Sequence, residues 1–269
     1  MKNPAPRSLL TFVLLGLNLI TALWGIVFPE VYNDPITCTD GWNRATLLAV
    51  DAVSLCAFAC MALLALATHR GPRWNALWLG AWLFSAYAHA FQVFTTALNA
   101  KYPLHVAGFV IGAWGSVYAV HVITPGNDIK CGPKTKAASV WMILVSLCLV
   151  GVWTAGWREQ LVSGFANTRQ NDLIRSIAAL DLLMVLPSFV WVGFGLWRGK
   201  FHDSPLPTAL NLAFGIYMAA LAVACLTQRA AGISGALGEL PQWTLLAVCS
   251  LACAALTLPA RSASDQRRS

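Results

Sequence analysis

Eight stretches of about twenty mainly apolar residues follow one another along this chain, and no other feature limits its fold as strongly. They cover about 8–28, 44–68, 74–98, 104–124, 137–157, 177–198, 206–228 and 241–260. A helix needs roughly 20 such residues to cross the hydrocarbon core of a bilayer. Lipid offers no hydrogen bonds, so backbone amides inside it must be satisfied within the segment, as a helix does. The breaks between stretches carry turn chemistry, as in "FPEVYNDP", "HRGPR", "KYP", "TPGND" and "HDSPLP". Charged residues make up 11% of the chain, against about 25% in a soluble domain. The expected fold class is therefore all-α: a polytopic membrane protein with eight transmembrane helices. The first stretch follows Lys2 and Arg7 as a signal peptide would. Its apolar run is longer than a usual h-region and no small-x-small cleavage pattern follows, so it reads as a retained helix.

The net charge of +7 follows from topology. Placing the N-terminus inside puts twelve of the 18 Lys and Arg residues on the cytoplasmic side. Arg44, Lys101, Arg158, Arg169, Arg175 and Arg229 fall on the other side. That asymmetry predicts an N-in, C-in orientation, to which an even span number also leads. Basic residues held in short loops account for the charge without nucleic acid, which is not an expected partner. The expected partners are the lipid bilayer and a small molecule or ion.

The chain also echoes itself. Asp51 and Asp181 lie 130 positions apart, as do Tyr87 and Tyr217, and "HRGPR" after the second span has a shifted counterpart in "WRGK" after the sixth. Two parallel four-helix repeats are expected, related by an axis along the membrane normal. They would occupy 1–128 and 137–260, with a cytoplasmic linker at 129–136 and a cytoplasmic tail at 261–269. The segment "ALWLGAWLFSAYAHAFQVFTTALNAKYPLHVAGFVIGAWGSVYAV" resembles a pattern of uncharacterised multi-span bacterial membrane proteins, in which an aromatic-rich third span passes through an Asn-containing turn into a small-residue fourth. "ALDLLMVLPSFVWVGFGLWRGK" resembles their sixth span, with its Asp, Pro and closing basic residues. The resemblance covers about half the chain and implies a fold family and a bacterial inner membrane, but no activity.

Asp51 and Asp181 are the acids placed well inside predicted spans. Burying an ionisable group at the bilayer centre costs at least about 2.5–3.5 kcal/mol, so each is a candidate ligand-binding residue. The alternative is a structural salt bridge, for which Arg44 is two turns from Asp51 on the same face. On the third span Ser85, His89, Gln92, Thr96 and Asn99 are spaced four, three, four and three apart, which aligns them on one helix face. Gln92 and Thr96 reach the level of Asp51, so the expectation is a polar pocket near the outer leaflet built from Asp51, Ser85, His89, Gln92 and Thr96. Asp181 and Tyr87 complete the candidate ligand-binding set.

Gly108, Gly112 and Gly115 on the fourth span form a small-residue face of the kind that lets helices approach. Pro187 is expected to bend the sixth span. Cys56/Cys60 and Cys249/Cys253 have i,i+4 spacing, but no His or Met shares a helix face with either pair and no metal site is expected. The chain has no H-E-x-x-H, G-x-S-x-G or Walker motif, so no catalytic residue is assigned. His69 and His121, near the inner ends of two spans, leave b-type haem as one alternative, and the cofactor is otherwise unassigned. The favoured function is binding or translocation of a small molecule or ion. The alternatives are a membrane-embedded enzyme acting on a lipid or other hydrophobic substrate, and a non-catalytic subunit or sensor.

Overall fold

The computed structural model describes residues 6–33, 42–66, 72–96, 99–122, 132–163, 175–201 and 204–259. The expected tail at 261–269, residues 129–131 of the expected linker, and His69 lie outside them, as does the side chain of His121. The described residues fold into eight main helices: α1 (Pro6–Val27), α2 (Trp42–Leu66), α3 (Pro72–Thr95), α4 (Tyr102–Val122), α5 (Pro133–Val162), α6 (Arg175–Trp197), α7 (Leu206–Ala230) and α8 (Leu240–Leu256). No strand occurs among them.

Proline starts most of these helices. Pro6, Pro72, Pro103, Pro133, Pro207 and Pro241 each occupy one of the first two positions. There the missing N–H removes no intrahelical bond and the fixed φ suits the helix. Helix α5 begins four residues before the apolar stretch predicted at 137, because Pro133 rather than hydropathy sets its start.

Six of the helices are long and apolar enough to cross a membrane: α1, α2, α5, α6, α7, and α8 with the turn before it. The remaining two, α3 and α4, carry His89, Gln92 and His105. Large apolar side chains point outward along the bundle, among them Ile20, Leu63, Trp114, Leu147, Trp157 and Trp191. Water would penalise such a surface and lipid would not. The chain is a multi-pass membrane protein.

Helix pairing fixes where a site can form. Helices α1 to α4 close a ring, with α1 against α2, α2 against α3, α3 against α4 and α4 against α1. Helices α5 to α8 close a second ring in the same order. The rings join through α7, which packs on both α2 and α3. Two hydrogen bonds seal the α2–α7 seam: Gln228 Nε2 donates to Thr46 Oγ1 (2.9 Å) and Thr227 Oγ1 to the Ala45 carbonyl (2.9 Å). Among the described residues no comparable packing joins α3 or α4 to α5 or α6.

Helices α3 and α4 share the most extensive contact in the first ring, and glycine makes it possible. A Cβ at Gly112 would lie 2.9 Å from the backbone of Ala86. One at Gly115 would overlap the fully buried ring of Trp82, and one at Gly108 would overlap the ring of His89. The expected small-residue face is a packing face, spent on admitting α3.

Helix α6 is interrupted by a π-helical turn over Asp181–Val185, in which the Leu186 N–H bonds back to the Asp181 carbonyl. Its cause is Pro187. Proline has no N–H to give and its ring crowds the carbonyl four residues before it, so the helix widens by one residue. The expected bend is thus a bulge, and Asp181 opens it.

Candidate functional site

The two intramembrane acids have different surroundings. Asp51 is 4% exposed and belongs to a closed cluster. Lys101, from the short turn between α3 and α4, places Nζ 2.9 Å from Asp51 Oδ2. Tyr32, from the turn after α1, donates its hydroxyl hydrogen to the same oxygen, and Lys101 also donates to the Tyr32 oxygen. Lys101 is fully buried. Burial lowers the pKa of its ammonium, while the Asp51 charge and hydrogen bond oppose that shift. Gly25 on α1 makes room for the cluster, since a Cβ there would overlap Asp51 Oδ2 and come within 2.6 Å of Lys101 Nζ and Tyr32 Oη.

The polar face of α3 is buried at Ser85, His89 and Gln92 and half-buried at Thr96, but it does not form a pocket around Asp51. Ser85 exchanges hydrogen bonds with Asn18 of α1 at 2.9 and 3.2 Å. Thr96 turns its hydroxyl to the Gln92 carbonyl of its own helix (2.5 Å). His89 meets His105 of α4, with their Nδ1 atoms 2.9 Å apart, so one ring donates and the other accepts. The amide of Gln92 and the Nε2 atoms of both histidines are buried and have no hydrogen-bond partner among the described residues. The direct partners of Asp51 are Tyr32 and Lys101, in place of His89, Gln92 or Thr96.

Asp181 is half-buried and lines a cavity of about 790 Å³. Its Oδ1 accepts the Tyr87 hydroxyl and its Oδ2 accepts Trp153 Nε1 at 3.0 Å. Tyr87 belongs to α3 and Trp153 to α5, so the carboxylate is held from both sides of the seam that lacks helix packing. Tyr217 of α7 sets its ring edge-on to that of Tyr87, with centroids 4.6 Å apart. The two tyrosines that echo each other in sequence therefore touch.

The cavity follows α7 from Leu210 to Gln228, roughly 27 Å at 1.5 Å per residue. Its walls are mostly apolar, and Val117, Val152 and Leu183, all strongly exposed, sit among them. It thus reaches the lipid-facing surface between α4 on one side and α5 and α6 on the other. Asp181 and Glu239 are the charged residues along it, among those described.

Of the predicted site residues, Asp181 and Tyr87 come together on the cavity wall, Asp51 lies in the closed cluster, Ser85, His89 and Gln92 are buried inside the first ring, and Thr96 is half-buried just past the end of α3. Sequence reasoning missed Lys101 and Tyr32, which lie in breaks between the apolar stretches, and Trp153, which no motif singles out. No family model matches this sequence, and neither a curated protein nor a solved structure matches it, so the site is read from its own residues.

Proposed function

We propose that this chain binds an amphipathic small molecule, admitted from the lipid side, in the cavity beside Asp181. The observation that carries the reading is the cavity itself. About 790 Å³ falls within the 300–1,000 Å³ usual for small-molecule sites. A long, mostly apolar wall with a few convergent polar groups, here Asp181 with Tyr87 and Trp153, is the form such sites take. A molecule with an apolar chain and one polar end matches both parts.

The wider frame belongs to the same proposal. The chain crosses a bacterial inner membrane eight times with both termini in the cytoplasm, and its two rings are parallel repeats. The matching order of helix contacts in each ring supports the repeat. Under it the packed α2–α7 seam corresponds to the α3–α6 seam, so the cavity takes the place of a helix interface that one half makes and the other omits. Topology has a simple check. Reporter fusions at the C-terminus and in the α5–α6 connection should report opposite sides, with the C-terminus inside; an external C-terminus contradicts the orientation.

Enzymatic use of Asp51 and His89 as acid and base finds less support. Each is engaged within the closed interior of the first ring, and neither lines the cavity.

Filling the cavity tests the binding reading. Ala113 of α4 lines it. Native mass spectrometry of the detergent-solubilised protein, with dodecylamine, dodecanol or dodecanoate added, should give a one-to-one adduct with at least one of them. Ala113→Trp should lose that adduct while eluting as the wild type does in gel filtration. No adduct with any probe, or adducts indifferent to Ala113→Trp, contradicts the reading.

A further inference from the structure

The geometry points to a cationic head on the cavity's ligand: we infer that Asp181, with the rings of Tyr87, Trp153 and Tyr217 around it, receives the ammonium group of an amphipathic amine. This rests on the binding reading above and names the chemical class that reading leaves open.

The two intramembrane acids differ in what balances their charge. A carboxylate taken out of water needs a counter-charge as well as hydrogen bonds. Asp51 has both, from Lys101 and Tyr32. Asp181 has hydrogen bonds alone, from the neutral donors Tyr87 and Trp153. No Lys, Arg or His is among the described residues lining its cavity. Arg175 starts the same helix but is exposed and does not line the cavity. Among the described residues, this wall therefore carries an anion and no cation opposite it.

The aromatic rings add a second, independent preference. Tyr87, Trp153 and Tyr217 all line the cavity; the first two donate hydrogen bonds to Asp181 and the third lies edge-on against Tyr87. Electron-rich ring faces attract ammonium groups and give nothing comparable to a carboxylate or phosphate. The other charge along the cavity, Glu239, is also negative and exposed, on the turn that precedes α8. A second acid along the cavity raises the local concentration of cations and disfavours anionic amphiphiles. The apolar length of the cavity then takes the chain of the same molecule.

Three probes of one chain length separate the possibilities. Dodecylamine, dodecanol and dodecanoate share a tail and differ in head charge at pH 7. Dodecylamine should bind about tenfold or more tighter than dodecanol, the worth of one charge-assisted contact, and dodecanoate weakest. Asp181→Asn should bring dodecylamine to the level of dodecanol. Tyr87→Phe, which removes a donor but keeps the carboxylate, should retain the preference for the amine. Equal binding of amine and alcohol to the wild-type protein, or tighter binding of dodecanoate, overturns the cationic assignment and leaves the cavity reading standing. No binding of any probe overturns the cavity reading itself. The wild-type comparison decides the matter even if Asp181→Asn fails to fold.

Discussion

Lys101→Met should destabilise the protein by about 3–5 kcal/mol, the usual consequence of removing one partner of a buried ion pair. Lys101 is fully buried with its ammonium 2.9 Å from Asp51. The substitution keeps the length of the side chain and removes the charge, so Asp51 is left with the Tyr32 hydroxyl as its remaining partner in the cluster. Asp51→Asn should cost a comparable amount, since it strands the lysine instead. The double variant Asp51→Asn/Lys101→Met should recover much of the loss, because replacing both members of a buried pair is often near neutral. Thermal unfolding in detergent, followed by scanning fluorimetry, reads all three. A Lys101→Met protein that melts with the wild type contradicts the pairing.

Gly112→Leu should lower stability by about 3 kcal/mol or more, at the upper end of what overpacking costs. The atoms a new Cβ would meet, at 2.9 Å, are the backbone N and Cα of Ala86, which cannot rotate away as a side chain can. Helices α3 and α4 would have to separate, and with them the His89–His105 contact and the turn that carries Lys101. Gly151→Leu is the matched control, because nothing lies within 4 Å of a Cβ at that position. Its melting temperature should stay near that of the wild type. Equal losses from both substitutions contradict the account of the α3–α4 contact.

Much of the fold was legible because its determinants are local. Apolar length marks a helix wherever it occurs, and proline marks where most of these helices start. The spacing of Gly108, Gly112 and Gly115 foretold a close helix contact because one helix carries the whole signal. Pro187 foretold a disturbance in α6 but not its form, since a bend and a π-turn relieve the same clash.

The sites were legible only in part, because their partners come from distant segments. Asp51 stood out as an acid in an apolar run. Its lysine lies fifty positions away in a turn between helices, where a basic residue reads as a surface charge. The polar face of α3 was visible as a face, but spacing cannot say which neighbour it meets, and the neighbours are α1 and α4. Asp181 stood out, like Asp51, as an acid in an apolar run, but nothing near it in the sequence identifies its partners. Its hydrogen-bond donors come from α3 and α5, and the seam they line shows itself only once the helices are packed.

The central claim is that α3 and α4 stand apart from α5 and α6 to hold an amphipathic molecule against α7. Electron cryomicroscopy of the protein in lipid nanodiscs with dodecylamine added tests it most directly. The account predicts elongated density along α7 between Leu210 and Gln228, with its polar end at Asp181. Helices α3 and α6 packed against each other, with no density and no space between them, would contradict it.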